Sequence, residues 1–358
     1  MKNLFIMGTA GSGKTAIALG IALKLKKEGY KVSYFKPVGR STKVIGKPDA
    51  DGVLMKNVLG IKAPLDTIVP HNAGPNYLSS YGGHYQDICP VDKIMSSYNE
   101  ISKDADVVIV DGTVFPYAFA ACNMDSVSLA RELDAHVILV VKIKNDFSFD
   151  ATVFFQDHLN MIGSKYLGCI FNNVPRPYLS KTEGIYKPIL EERNVQTLGI
   201  IPQRPEIAFP TVAEYLDLLE GEILTGENRL HLPVEDVTVG AMSIESAISY
   251  LRRTANKAFI VGGDRSDLAL AALETHTSVL ILTGGLYPNV KVISRAAEKG
   301  VPVILVHYDT YTTVERLSRV FRQIRFDDKI GINVALENIE KYCLCNDIID
   351  NLDPKKEA

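Results

Sequence analysis

The residues at positions 8–15 have the types and the spacing of a phosphate-binding loop. They read Gly8, Thr9, Ala10, Gly11, Ser12, Gly13, Lys14 and Thr15, and match G-x-x-x-x-G-K-[ST] at every fixed position. Glycines let the backbone curl so that successive amides point at phosphate oxygens, and the helix that follows adds its positive dipole end. We expect Lys14 to reach the β- and γ-phosphates and the Thr15 hydroxyl to bind Mg²⁺. The loop therefore predicts a site for ATP, or for GTP.

A carboxylate and a lysine follow two further apolar runs. Val107–Val110 ends in Asp111, at the point where P-loop proteins carry a second metal ligand. Lys36 follows Lys31–Phe35, where an ammonium group can face the γ-phosphate, and Asp49 and Asp51 come shortly after it as candidates for a third metal ligand. Each residue also has an ordinary interpretation, because aspartates form caps and turns and a lone lysine is usually a solvated charge.

A parallel sheet would bring these residues together at one edge. Short runs of Val, Ile and Leu alternate with amphipathic stretches, which is typical of strands that helices cover on both faces. The strand runs are Leu4–Met7, Lys31–Phe35, Val107–Val110, Val137–Ile143 and Leu167–Asn172, and the first helix is predicted from Lys14 to Glu28. We predict a doubly wound α/β sheet of the P-loop NTPase class, with the candidate residues at its carboxyl edge.

A second, smaller α/β domain is predicted beyond a change of composition near residues 219–234. Strand-like runs at Ala258–Val261, Ser278–Leu282 and Val301–Val306 each end in glycines or polar residues. Such strand ends could form a ligand crevice or could equally dock onto a neighbouring subunit. The predicted domains are residues 1–218 and 225–335, with 336–358 as a C-terminal tail whose last residues, from Asp347, are frayed.

The amino-acid composition and net charge limit which kinds of partner we expect for this protein. The chain has 358 residues, of which 46% are hydrophobic and 23% charged, and a formal net charge of −3. It has no long basic run, so we expect no nucleic-acid partner. It also has no apolar stretch of about 20 residues, so we expect a soluble, cytoplasmic protein without a membrane span. The five cysteines have no zinc-site spacing.

The first half resembles dethiobiotin synthetase and the N-terminal half of cobyrinic acid a,c-diamide synthase. The resemblance is carried by the P-loop, the run Tyr34–Val38, Asp51 and the run Asn172–Pro175. It implies that Lys14 and Lys36 act on the phosphates and that Thr15, Asp51 and Asp111 gather Mg²⁺. It also implies that Asn172 contacts the adenine base and that residues 199–204 close over it. The synthetases usually carry glutamate where this chain has Asp111, and their carboxylate-recognising loops are not recognisable here.

The second half resembles the DRTGG domain, through the runs Val261–Asp267, Leu280–Gly285 and Tyr308–Tyr311. This order of domains is similar to that in the N-terminal regulatory region of long phosphotransacetylases. The resemblance implies a stand-alone form of that region, without the domain that transfers acetyl groups.

Three functions remain open at this point. The first is a nucleotide-dependent regulatory or sensor protein that also binds a small metabolite or a partner protein. The second is an ATP-dependent synthetase or ligase that activates a small carboxylate or carbamate by phosphoryl transfer. The third is a chaperone-like ATPase that acts on a partner enzyme. Relatives of this group often place the site between two subunits, which implies a homo-oligomer.

Overall fold

The computed structural model describes residues 2–40, 48–80, 88–318, 320 and 322–352. These residues form two compact units. The first unit comprises residues up to Arg204 together with those from Ile324 onward, and the second comprises Pro205–Gln323. The α/β class expected from the alternating apolar runs is confirmed in both units.

Strands and helices alternate along most of the described chain. The strands are β1 (Lys2–Gly8), β2 (Val32–Phe35), β3 (Val38–Arg40), β4 (His71–Ala73), β5 (Val107–Asp111), β6 (His136–Val141), β7 (Lys165–Val174), β8 (Thr197–Pro202), β9 (Glu222–Thr225), β10 (Asp236–Val239), β11 (Lys257–Gly262), β12 (Thr277–Thr283) and β13 (Val303–Leu305). The helices are α1 (Lys14–Lys27), α2 (Ala50–Leu59), α3 (Leu65–Ile68), α4 (Val91–Ser102), α5 (Ser126–Glu132), α6 (Asp146–Met161), α7 (Arg176–Lys181), α8 (Lys187–Glu192), α9 (Pro205–Ala208), α10 (Val212–Leu219), α11 (Ile244–Leu251), α12 (Ser266–Leu273), α13 (Val290–Lys299), α14 (Thr310–Leu317), α15 (Lys329–Tyr342) and α16 (Cys345–Leu352).

The first unit is built around a parallel sheet whose described strands follow the order β2-β5-β1-β6-β7-β8. Ile6 of β1 is in register with Asp111 of β5, and Phe35 of β2 is in register with Val110. The central strands β1, β5 and β6 are almost wholly buried, since helices cover both faces of the sheet. The loops that follow β1, β5 and β2 therefore meet at one edge.

Helix α1 begins directly after the P-loop and is buried along one side. Its residue Gly20 faces α15, and a Cβ atom at Gly20 would lie 2.4 Å from the Ala335 carbonyl oxygen. Two helices that pack this closely leave no room for a side chain at the crossing.

The C-terminal helices belong to the first unit, although the sequence assigned residues 336–358 to a tail. Ile339 of α15 and both Ile348 and Leu352 of α16 lie in the same core as the central sheet. Burial of these apolar side chains holds the C-terminal segment against the first unit. The residues from Asp347 to Leu352 therefore form part of a helix and do not fray. Residues 353–358 lie outside the described part of the chain.

The second unit has a sheet whose described strands follow the order β10-β11-β12-β13-β9. All its pairs are parallel except β13 with β9, which run antiparallel. Apolar side chains fill both faces of this sheet, in two clusters.

Cys89 and Cys122 are joined by a disulfide, which the sequence did not predict because 33 residues separate them. None of the described helices has the length and apolar character needed to cross a membrane.

Candidate functional site

The carboxyl edge of the first sheet brings the P-loop and Asp111 into contact. The Thr15 hydroxyl donates to Asp111 Oδ2 at 3.1 Å, across 96 residues of sequence. Lys14 Nζ donates to the backbone oxygens of Gly8 and Thr9, at 3.0 and 3.2 Å. Burial lowers the pKa of the Lys14 ammonium, and the carboxylates of Asp111 and Asp51 oppose that shift. The loop therefore holds its cation next to two acidic groups.

Asp111 is buried, and its two carboxylate oxygens have different surroundings. Oδ2 accepts hydrogen bonds from Thr15 and from Tyr34 Oη, the latter at 2.9 Å. Oδ1 is buried and finds no hydrogen-bond partner among the described residues. Burial raises the pKa of the Asp111 carboxyl, although Lys36, Lys14 and Tyr34 work in the other direction. A buried, unpaired carboxylate oxygen is costly, and a bound cation would satisfy it.

Lys36 forms a buried ion pair with two carboxylates. Its Nζ lies 3.0 Å from Asp49 Oδ2 and 2.5 Å from Asp51 Oδ2. Burial alone would lower the pKa of Lys36, but the carboxylates of Asp51 and Asp49 outweigh it and raise that pKa. For Asp51, burial favours the neutral form, and the pairing with Lys36 reverses this and lowers the pKa of its carboxyl. Both shifts favour the charged forms of Lys36 and Asp51, and Asp49 is the second carboxylate in contact with the lysine.

The two acids beside Lys36, Asp49 and Asp51, form different contacts. Asp49 caps α2 through the Gly52 amide and also accepts from the Arg40 amide. Asp51 lies in the first turn of α2, and a hydrogen bond with Thr15 contributes to its lowered pKa. Asp51 is thus within reach of the P-loop, whereas the oxygens of Asp49 are engaged in holding the helix start.

Asn172 contacts the P-loop from the end of β7. Its Nδ2 donates to the Ser12 carbonyl oxygen at 2.8 Å, and the side chain is buried. Gly13 has φ of +86°, and a Cβ atom there would lie 2.2 Å from Asn172 Nδ2. Glycine is required at position 13 both by this close approach and by the left-handed backbone. The residue that the resemblance assigned to the base thus holds the P-loop in place.

The donor set is suited to Mg²⁺. Thr15, Asp51 and Asp111 offer hydroxyl and carboxylate oxygens, and Mg²⁺ takes oxygen ligands while keeping several waters. Within the described part of the chain, no group of three or more His, Cys, Asp or Glu side chains could hold a metal alone. A magnesium ion carried in with the phosphates needs only one or two protein carboxylates. The unpartnered Asp111 Oδ1 is consistent with that kind of site.

Tyr34 is the site residue that the sequence missed. Its ring is fully buried in β2, and a tyrosine in an apolar strand is usually a core residue. The pairing of β2 with β5, which the sequence analysis did not predict, is what brings Tyr34 and Asp111 together. Tyr34 is in register with Ile109, two positions before Asp111, so both side chains lie on the same face.

The strand ends of the second unit form a separate candidate site. The hydroxyls of Thr283 and Thr310 are 3.0 Å apart, and Asp309 caps α14 through the Thr312 amide. Arg265, which could hold an anion, is half-buried and pairs with Asp267. The polar side chains named here therefore form their hydrogen bonds and ion pairs with other residues of the second unit.

Two family models match the chain. The model described as "AAA domain" covers residues 2–211, and the model described as "DRTGG domain" covers residues 214–320. The first match spans more than half of the chain, and together the two confirm the pairing of domains expected from the sequence.

Curated relatives and solved structures are also similar. A phosphate acetyltransferase of Pseudomonas putida is 26% identical over 92% of this chain and 49% of its own length. One of Nitratidesulfovibrio vulgaris is 25% identical over 99% of this chain and 52% of its own length. The chain thus spans about half the length of these relatives.

Among solved structures, the MinD cell division protein of Aquifex aeolicus is 17% identical with a TM-score of 0.36, covering 57% of this chain and 84% of its own. The CBS and DRTGG domains of a Clostridium perfringens pyrophosphatase, complexed with diadenosine tetraphosphate, are 17% identical with a TM-score of 0.29, covering 49% and 87%. From the family model that matches residues 2–211, this chain belongs to the AAA-domain family, and it carries a DRTGG domain after that match.

Proposed function

We propose that this chain binds ATP with Mg²⁺ at its P-loop and acts as a nucleotide-dependent regulatory protein. Amides of residues 8–15 would surround the phosphates, Lys14 and Lys36 would neutralise their charge, and Asn172 would contact the base. Thr15, Asp51 and Asp111 would hold the metal, which when bound screens the phosphate charge. GTP is the alternative nucleotide, because none of these contacts selects a base by itself.

The single observation that carries the proposal is the contact of the P-loop with Asp111. The loop's Thr15 hydroxyl and a buried carboxylate meet at 3.1 Å, and the second oxygen of that carboxylate has no partner among the described residues. Burying a carboxylate with one oxygen unpaired costs free energy, and in a glycine-rich turn that bound no ligand nothing would offset that cost.

The regulatory part of the proposal is supported by the relatives. The chain aligns with about half of each phosphate acetyltransferase, in the order AAA domain then DRTGG domain. We propose that the DRTGG unit binds a small metabolite or a partner protein and that the chain forms homo-oligomers. We also propose the cytoplasm as its compartment, a setting in which disulfides such as Cys89–Cys122 are rare.

Nucleotide binding by a Lys14→Ala variant tests the proposal. Titration of the full chain with a fluorescent ATP analogue in the presence of Mg²⁺ should give an affinity about 100-fold weaker than that of the wild type. The reason is that losing charged hydrogen bonds to phosphate costs about 3 kcal/mol. Lys27→Ala is the matched control, because Lys27 lies on the same helix but is exposed and pairs with Glu340.

The binding titration tests the P-loop assignment, and a separate assay of ATP turnover separates the remaining functions. Equal affinity of Lys14→Ala and wild type would overturn the P-loop assignment. ATP turnover below about one per minute, far under the usual enzyme range, supports a regulatory role. Strong stimulation by one small acid or amine would instead support a synthetase, and stimulation by a protein fraction alone would support the chaperone-like ATPase. Sedimentation of the same samples, with and without nucleotide, tests the homo-oligomer, and a monomer throughout would contradict it.

A further inference from the structure

The only polar atom of the Tyr34 side chain, its hydroxyl oxygen, is hydrogen-bonded to the candidate metal ligand Asp111. The ring is fully buried, and Oη donates to Asp111 Oδ2 at 2.9 Å, across 77 residues of sequence. The hydroxyl thus lies beside the site without being part of the phosphate-binding loop.

Both hydrogen bonds to Asp111 fall on the same oxygen. Thr15 and Tyr34 each donate to Oδ2, whereas Oδ1 receives none from the described residues. Two donors on one carboxylate oxygen restrict rotation of the group and leave the other oxygen in a defined direction. A threonine hydroxyl can donate its proton and still bind a cation through a lone pair, so the Thr15 contact is compatible with metal binding.

We infer that Tyr34 is a positioning residue that orients Asp111 so that Oδ1 is presented to the magnesium ion of the bound nucleotide. This inference rests on the proposed function, because it concerns the metal of that same site. Tyr34 acts through Asp111 and does not itself touch nucleotide or metal. A purely structural hydroxyl would matter for stability and not for the dependence of nucleotide binding on magnesium.

Tyr34→Phe separates the two roles, because it removes one oxygen and keeps the ring. The affinity of the full-length protein for a fluorescent ATP analogue is measured with Mg²⁺ and with EDTA. The Mg²⁺-dependent gain in affinity should fall about 10-fold in the variant, the lower end of what loss of an outer partner costs a metal site. The affinity in EDTA should stay within about twofold of wild type, because the phosphate contacts are intact.

Tyr98→Phe is the matched control for a buried tyrosine hydroxyl. Tyr98 Oη donates to Asn3 Oδ1 at 2.7 Å, and Tyr98 lies on α4 outside the P-loop contacts. This variant should keep the wild-type gain in affinity from Mg²⁺. A loss of equal size in both variants would show a general effect of removing core hydroxyls and would overturn the inference.

A double-mutant cycle with Asp111→Asn tests whether Tyr34 acts through that carboxylate. If it does, Tyr34→Phe should cause no further loss of the Mg²⁺ effect in the Asp111→Asn background. Additive losses would overturn the inference, and so would an unchanged Mg²⁺ effect in Tyr34→Phe alone. In both cases a wild-type protein that binds Mg-nucleotide would leave the proposed function standing. A wild-type protein that binds no nucleotide would overturn the proposed function itself.

Discussion

Asn172 supports the P-loop from a strand on the far side of β6. Its amide nitrogen donates to the Ser12 carbonyl and lies so close to Gly13 that any side chain there would collide with it. A loop that must present its amides to phosphates gains from being held in that shape before the ligand arrives. The loop support that the structure shows and the base contact that the resemblance implies are therefore two separable roles for Asn172.

Asn172→Ala should weaken ATP and GTP binding alike, by about fivefold. One hydrogen bond that holds the loop is worth about 1 kcal/mol and is shared by both nucleotides. Competition titrations with ATP and GTP measure the two affinities, and Asn160→Ala, an exposed asparagine on α6, is the control. A loss confined to ATP would show that base contact, as the resemblance implies, is the dominant role.

The candidate site could be predicted from the sequence where residue type and spacing are diagnostic. The P-loop, Lys36, Asp51 and Asp111 do lie at one edge of the sheet, in contact through Thr15 and through the Lys36–Asp51 pair. Their roles toward nucleotide and metal stay predictions. Tyr34 was not predicted, because its place in the site depends on one hydrogen bond to Asp111, 77 positions away, and no local sequence pattern encodes that contact.

Helix α1 connects the P-loop to the C-terminal part of the same unit. Its buried side packs against α15, and Gly20 lies at the point of closest approach, beside Ala335 and Ile339. Glycine inside a helix normally costs about 1 kcal/mol relative to alanine. Here the close helix contact offsets that cost, because packing of this density needs a position without a side chain.

Gly20→Ala should lower the free energy of unfolding by about 1–3 kcal/mol, although alanine is the better helix former. The added Cβ would lie 2.4 Å from a backbone oxygen, so the helices must move apart. Denaturant unfolding followed by circular dichroism measures the change. Gly184→Ala is the control, because a Cβ there meets nothing within 4 Å, and this variant should be neutral or slightly stabilised. Equal stability of the two variants would contradict tight packing at Gly20.

Elements with long apolar runs could be predicted from the sequence, and short or partner-dependent ones could not. The central strands β1, β5, β6 and β7 correspond to the predicted runs. The two strands β3 and β4 have only three residues each, so they carry no measurable period. Of residues 199–204, predicted to close over the base, 199–202 belong to β8, where Gly199 packs against Cys343 directly after α15. That contact depends on a segment more than 140 residues away. The role of residues 199–204 toward the base stays a prediction.

The second unit is inserted into the first along the chain. Residues up to 204 and from 324 form one core, while residues 205–323 form the other. The sequence predicted consecutive domains, because a change in composition marks where the chain leaves the first unit and no comparable change marks its return. Helix α15 has the amphipathic pattern of any surface helix, and a pattern does not identify which core its apolar side covers.

Two deletion variants test this insertion, and they have opposite expected outcomes. Replacing residues 205–323 by a flexible Gly/Ser linker should leave a first unit that folds and binds the ATP analogue, since both parts of its core remain.

Ending the chain after Gln323 keeps the DRTGG unit but removes Ile339, Ile348 and Leu352 from the core around α1. Each of these buried side chains contributes about 2 kcal/mol, so their joint loss approaches the whole stability of a typical domain. The shortened chain should therefore lose nucleotide binding and cooperative unfolding, as measured by titration and circular dichroism. If the chain ending at Gln323 bound the analogue with wild-type affinity, α15 and α16 would be dispensable attachments, and the predicted linear order of domains would be the better description of the molecule.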